Sequence, residues 1–220
     1  MFKNLLYFCA NIIYHISTKV VNKLDTKERI RTLAENNNGV LKTADVVAAG
    51  ISKKTFAEFV KDNGLEKVSH GIYCEPDSWT DALYLLQLRC PLIVFSHDTA
   101  LFLHDLTDRE PLLYSVTAKT GYNPSRLTKD GVKVYTIRKE LFEVGLTAGI
   151  TPYGNPVRVY DMERTICDLI RSRNSIEAQV LQDAMKRYVL RKDKNLHRLM
   201  EYAGQFHVDR ILRQYMEVLL

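Results

Sequence analysis

Between Asp25 and Asp77 the chain is cut by stop signals into pieces too short to fold alone, and the order of those pieces leaves few folds open. Asp25-Thr26-Lys27-Glu28 has the spacing of a capping box, with the Asp25 carboxylate over the first free amides and Glu28 reaching back. Ile30, Leu33 and Ala34 then share one helical face. Asn36-Asn37-Asn38-Gly39 ends that helix, because Asn and Gly tolerate the left-handed backbone a stop requires. Val40 and Leu41 suit a short strand. Thr43 is placed to cap a second helix, Ala44 to Ala49, which Gly50 closes. Ser52 is placed to cap a third, running to about Asp62. Leu65 to Val68 and Ile72 to Cys74, joined by Ser69-His70-Gly71, read as a hairpin.

Two short helices around a tight Gly-containing turn, followed at once by a hairpin, describe a winged helix-turn-helix over residues 25–77. In such a module the third helix enters a DNA major groove and the hairpin is the wing. Phe56, Phe59 and Val60 mark its buried face; Lys54, Glu58 and Lys61 lie opposite, flanked by Lys53 and Ala57. The expected DNA-facing set is therefore Thr43, Ser52, Lys53, Lys54, Thr55 and Lys61, with Lys67 and His70 of the wing meeting phosphate. Charge limits this expectation: residues 25–77 hold eight Lys/Arg against nine Asp/Glu, although the whole chain carries +5. Few phosphate contacts per copy follow, so binding should be weak unless the protein acts as a dimer on DNA. The positive excess sits instead in residues 171–198, eight basic against three acidic. There Lys186, Arg187, Arg191, Lys192 and Lys194 form a candidate secondary basic surface for nucleic acid or an acidic partner.

The first 24 residues are apolar and lightly basic. Asn4, Asn11, His15 and Lys19 interrupt them before the roughly 20 apolar residues a membrane span needs, and no small-residue cleavage site follows. They are expected to form an extra helix packed on the body or on a second subunit, in a protein without a membrane partner. Residues 78–220 read as a larger domain, α+β in class: a small sheet followed by a helical C-terminal half. Ser78 is placed to cap a helix ending before Pro91, and Ser96 to cap another over Asp98 to Asp105. Strands are expected over Leu92 to Phe95, Leu112 to Ala118, Val132 to Ile137, Ala148 to Thr151 and Val157 to Tyr160. Helices follow over Met162 to Ile170, Ile176 to Tyr188, Leu196 to Ala203 and Val208 to Leu219.

The usual signatures of catalysis and of cofactor binding are missing: no P-loop, G-x-G-x-x-G, G-x-S-x-G or H-E-x-x-H occurs. Cys9, Cys74, Cys90 and Cys167 contain no C-x-x-C pair and read as buried reduced thiols of a cytoplasmic protein. His97-Asp98 and His104-Asp105 lack a plausible nucleophile and read as capping and surface hydrogen bonding. Asp161, Glu163 and Asp168 are the one carboxylate set that could hold a catalytic metal, which leaves a metal-dependent nuclease as an alternative. However, acids at 161 and 163 also suit a helix N-terminus, and Arg164 with Asp168 is an ordinary i,i+4 pair. A second alternative is a transcriptional regulator whose C-terminal domain senses a small molecule.

Three segments together resemble one family. The hairpin with His70-Gly71-Ile72-Tyr73, the run Ser96-His97-Asp98-Thr99-Ala100-Leu101, and Glu163-Arg164-Thr165-Ile166-Cys167-Asp168 are similar to AbiEi-type antitoxins of type IV, abortive-infection systems. The resemblance implies a non-catalytic bacterial protein that needs no cofactor and takes part in phage defence. It implies repression of the protein's own operon through binding to inverted repeats in promoter DNA. It also implies a C-terminal antitoxin domain that counters the effect of a nucleotidyltransferase-like toxin encoded beside it, with or without direct contact.

Overall fold

A computed structural model describes residues 25–76 and 81–219. The expected N-terminal helix, Cys9 and the expected Ser78 cap lie outside the described residues. The chain divides into two compact units at Thr80 and Asp81, and both strands and helices occur in each, as an α+β class requires.

In the first unit, residues 25–35 are helical (α1). Residue 25 is itself helical, so the capping box read at Asp25 does not start this helix within the described residues. Strand β1 (Val40–Lys42), helices α2 (Thr43–Ala48) and α3 (Lys53–Asp62), and strands β2 (Glu66–Ser69) and β3 (Ile72–Cys74) complete the winged helix-turn-helix. The three strands pair antiparallel in the order β1-β3-β2, with Val40 and Glu66 both opposite Cys74. Ile30, Ala34, Leu41, Val46, Ile51, Phe56, Phe59 and Leu65 form its core.

The second unit opens with α4 (Ala82–Arg89), β4 (Val94–Phe95), α5 (His97–Leu103), β5 (Ser115–Lys119), α6 (Ser125–Lys129) and β6 (Lys133–Ile137). It continues through α7 (Lys139–Phe142), β7 (Leu146–Ile150) and β8 (Pro156–Tyr160). Four helices end it: α8 (Met162–Arg171), α9 (Ala178–Leu190), α10 (Leu196–Gln205) and α11 (Asp209–Leu219). The sheet is mixed, in the order β6-β5-β4-β8-β7. Strands β5 and β6 are parallel, as are β4 and β8, while the β4–β5 and β7–β8 pairs are antiparallel. The helix expected to start at Ser78 starts at Ala82, because Asp81 caps it by accepting from the Tyr84 amide at 3.0 Å. Buried Asp81 also accepts from Thr151 Oγ1 and Asn155 Nδ2, and so ties α4 to the β7–β8 turn. Helices α6 and α7, absent from the sequence expectation, each bury a single side chain, Leu127 or Phe142, and so carry no periodicity.

Helix α8 is enclosed on all sides: every residue from Glu163 to Ile170 is buried. Its apolar side chains pack with those of α5, α9, α10 and α11. Its charged ones meet each other and the backbone. Arg164 and Asp168 form the expected i,i+4 pair, Nε donating to Oδ2 at 2.9 Å, and are 0% and 2% exposed. Nη1 of Arg164 donates to the carbonyls of Leu141 (2.9 Å) and Val144 (2.7 Å). The guanidinium lies 4.1 Å from the ring centroids of both Tyr160 and Phe206. The two residues sit inside because the surrounding sheet and helices cover α8 from every direction, which a local i,i+4 spacing does not reveal. Gly145 permits this packing: its φ is +73°, and a Cβ there would lie 2.5 Å from Arg164 Cβ.

Removing one partner of a buried pair strands the other charge in a medium that cannot solvate it. We expect Asp168→Ala to cost about 3–5 kcal/mol in urea unfolding of the full chain. The apolar pair Arg164→Met with Asp168→Leu should recover much of that loss. A single variant as stable as the parent would contradict this account of α8.

Candidate nucleic-acid interface

The turn between α2 and α3 sets the interface. At the end of α2, Gly50 N donates to Val47 O at 2.9 Å and Ile51 N to Val46 O at 3.2 Å, the bond pair of a Schellman stop. Gly50 takes φ +80°, which a side chain would resist, and Ile51 follows into the core at 3% exposure. Ser52 then starts α3, its hydroxyl accepting from the Thr55 amide at 3.1 Å and sharing a bond with Thr55 Oγ1 at 2.8 Å. Two ties from α1 fix the pair. Arg29 donates to the Ala49 carbonyl, and Lys27 pairs with Asp62 at the far end of α3 at 2.9 Å. Phe56 and Phe59 anchor the buried face, and Phe56 meets the Tyr73 ring of the wing edge-on at 5.4 Å.

The opposite face of α3 carries Lys53, Lys54, Ala57, Glu58 and Lys61, all exposed. Lys54 and Lys61 are two turns apart, about 10 Å along the axis. Lys67 on β2 and His70 in the wing turn are exposed as well. None of Lys53, Lys54, Lys61 and Lys67 has an ion-pair partner among the described residues. The hydroxyl residues of the expected set are placed differently. Thr43 is not the cap of α2: it is the first helical residue, Lys42 holds the cap position, and no side chain caps that end. The reason is the wing, whose Gly71 carbonyl accepts from the Thr43 amide at 2.7 Å. Ser52 and Thr55 are engaged with each other at the start of α3. This unit thus gathers Lys53, Lys54 and Lys61 on one helix face, while the Thr43 amide ties the start of α2 to the wing and Ser52 caps the start of α3. The Arg29 and Lys27 ties were not legible, since nothing in the spacing of α1 says which loop its exposed side would meet.

Residues 28–76, the span from α1 through β3, match the family model described as "Transcriptional regulator, AbiEi antitoxin". Over this region the chain is similar to the AbiEi antitoxin family. In fold, the chain is similar to the RV2827C protein of Mycobacterium tuberculosis, whose crystal structure aligns with a TM-score of 0.54 at 12% identity. That alignment covers 80% of this chain and 69% of the other. No curated protein sequence matches the chain. Among the described residues, no helix is long and apolar enough to cross a membrane.

Beyond the AbiEi-matched region, the family-like segments of the second unit are internal. His97, expected at the surface, is 3% exposed and stacks on Tyr135 at 3.5 Å. Thr117 Oγ1 donates to Ser96 Oγ at 2.8 Å, which leaves the Ser96 proton for His97 Nδ1 at 3.0 Å. His97 Nε2 then donates to Ser172 Oγ at 3.0 Å, so the network assigns a neutral imidazole protonated on Nε2. Ser96 precedes α5 but makes no side-chain cap, because its hydroxyl is spent on this network. His104 donates to the Tyr160 carbonyl at 2.6 Å. Of the carboxylates weighed as a metal set, Asp161 caps α8 through the Arg164 amide and Asp168 faces two arginines. Glu163 accepts from Tyr188 Oη and the Asn195 amide. Among the described residues, no three His, Cys, Asp or Glu side chains gather in a metal-ligand group. Cys74 and Cys167 are buried and Cys90 half-buried, all free; burial pushes the Cys167 thiol up to about 12.

The secondary basic stretch is partly self-satisfied. Arg187 pairs with Asp108, Arg191 with Asp193 at 2.9 Å, and Lys194 donates to the Arg191 carbonyl at 3.0 Å. Lys186 on α9 and Lys192 just past its end are exposed.

Burial pushes the His97 imidazole down to about 4; Lys133, Arg164 and Arg171 add to the shift, and only Asp168 opposes it. The unfolded chain protonates this residue near pH 6.5, so the unfolded state binds the extra proton first. Its contribution is full above pH 6.5 and is lost as pH falls toward 4, a loss on the order of 3 kcal/mol. Urea unfolding at pH 7.0 and 4.5 should show a smaller pH penalty for His97→Gln than for the parent. Equal penalties would mean that His97 is not the titrating group.

Proposed function

We propose that this protein is the antitoxin of a type IV, abortive-infection system, acting in the bacterial cytoplasm, and that it also represses its own operon. The first unit binds inverted repeats in promoter DNA, with α3 in the major groove and Lys67 and His70 of the wing on phosphate. The second unit counters a nucleotidyltransferase-like toxin without doing chemistry of its own. The observation that carries the reading is the exposed row of Lys53, Lys54 and Lys61 on a helix fixed at both ends, beside a wing. The AbiEi match over the same residues supports it. The near balance of charge over residues 25–77 means few phosphate contacts per copy, so two copies on an inverted repeat supply the affinity.

Promoter binding measured by fluorescence anisotropy across a salt series tests this. Lys54→Ala with Lys61→Ala should weaken binding to all sequences and flatten the plot of log affinity against log salt. Every phosphate left without its lysine takes about 0.9 off the slope. A slope unchanged in the double variant would take α3 off the DNA.

A further inference from the structure

Strands β5 and β6 run parallel, and both end at the same edge of the sheet. In open α/β sheets, small ligands commonly sit outside the carboxyl ends of parallel strands. A cleft of about 220 Å³ opens there. Its polar lining is Thr120 after β5, Thr136 and Arg138 at the end of β6, Arg171 at the end of α8, Gln205 at the end of α10 and His207 just beyond it. No carboxylate is among the lining residues.

The charge of this cleft is not balanced from behind. Asp168 is shared by two arginines, Arg164 at 2.9 Å and Arg171 at 3.2 Å, so the trio keeps a net positive charge. Both guanidiniums lie over the Phe206 ring, which therefore holds Arg171 at the wall of the cleft. Nη2 of Arg164 is buried with no hydrogen-bond partner among the described residues. Among those residues Arg138 has no ion-pair partner either, and the Thr136 hydroxyl makes no hydrogen bond. His207 sits where α10 ends in a Schellman turn, with φ +57° and Val208 N bonded to Ala203 O at 2.9 Å. Glycine ordinarily takes that position; here an imidazole stands in it, facing the cleft.

Arginine forks with free N–H groups, a free hydroxyl and an imidazole, in a concave site without carboxylates, match a tetrahedral oxyanion. We propose that this cleft binds a phosphoryl group, carried by inorganic phosphate or by the phosphate monoester of a nucleotide. The site is separate from the DNA reading of α3 and does not depend on it.

The test is titration calorimetry on the full chain at constant ionic strength, with inorganic phosphate and adenosine 5′-monophosphate in parallel. Saturable binding is expected. Arg138→Gln should weaken it about tenfold or more, since a charge-assisted fork is removed. Arg138 is exposed, so its removal leaves the core untouched; Thr136→Val, which keeps the side chain's shape, gives a second and smaller loss. Lys129→Gln, an exposed cation elsewhere, should leave the affinity unchanged. Equal affinities for the two probes would identify the phosphoryl group alone as the ligand, and tighter binding of the nucleotide would identify a nucleotide. Heats of dilution only, or an equal loss in Arg138→Gln and Lys129→Gln, would overturn the proposal.

Discussion

A guanidinium fully removed from water organises the second unit. Arg164 is a buried cation, so the groups around it must replace the solvent it has given up. Asp168 supplies the countercharge, the carbonyls of Leu141 and Val144 supply acceptors, and the rings of Tyr160 and Phe206 supply their negative faces. These groups come from α8, from the α7–β7 segment, from β8 and from the α10–α11 link, so one side chain fixes the mutual position of four parts of the fold. A lysine could not do this, since an ammonium has neither the fork for several acceptors nor the flat face for the rings. Gly145 follows from the same constraint, because only a residue without a Cβ leaves room for the Arg164 stem.

The buried polar residues of α8 and of the Ser96–His97 network share a logic. Apart from Nη2 of Arg164, their donors and acceptors taken out of water meet partners, which the chain arranges across distant segments: Tyr188 and Asn195 for Glu163, Ser172 and Thr117 for Ser96 and His97. Residues that look catalytic in one dimension serve here to specify one packing. The first unit works differently. Its exposed lysines are few, and their value lies in how firmly α3 is held by the Gly50 stop, the Ser52 cap and the two ties from α1.

The first unit was legible from residue order because its signals are local: a cap, a stop or a hairpin turn acts within four residues of its own position. Phe56 and Phe59 fell on the buried face for the same reason, helical periodicity being a local property. In the second unit the order of strands and helices could be read, but the burial of Arg164, Asp168 and His97 could not. Whether an i,i+4 pair is solvated or enclosed depends on elements far away in the chain, and no spacing encodes that. Thr43 failed as a cap because a wing carbonyl 28 positions later in sequence took its amide. Helices α6 and α7 were too short to show a period. The cleft at the β5–β6 edge draws on five separate segments, which explains why Arg138, Arg171 and His207 gave no signal as a set.

The central claim is that protection from a toxin and contact with DNA belong to separable surfaces of this chain. Growth rescue tests it most directly, using the open reading frame beside this one as the toxin and a promoter that this protein does not regulate. Both the parent chain and the Lys54→Ala, Lys61→Ala variant should restore growth, although only the parent represses its own operon. Failure of the well-expressed parent to rescue would contradict the antitoxin assignment, and loss of rescue in a folded variant would contradict the separation of the two surfaces.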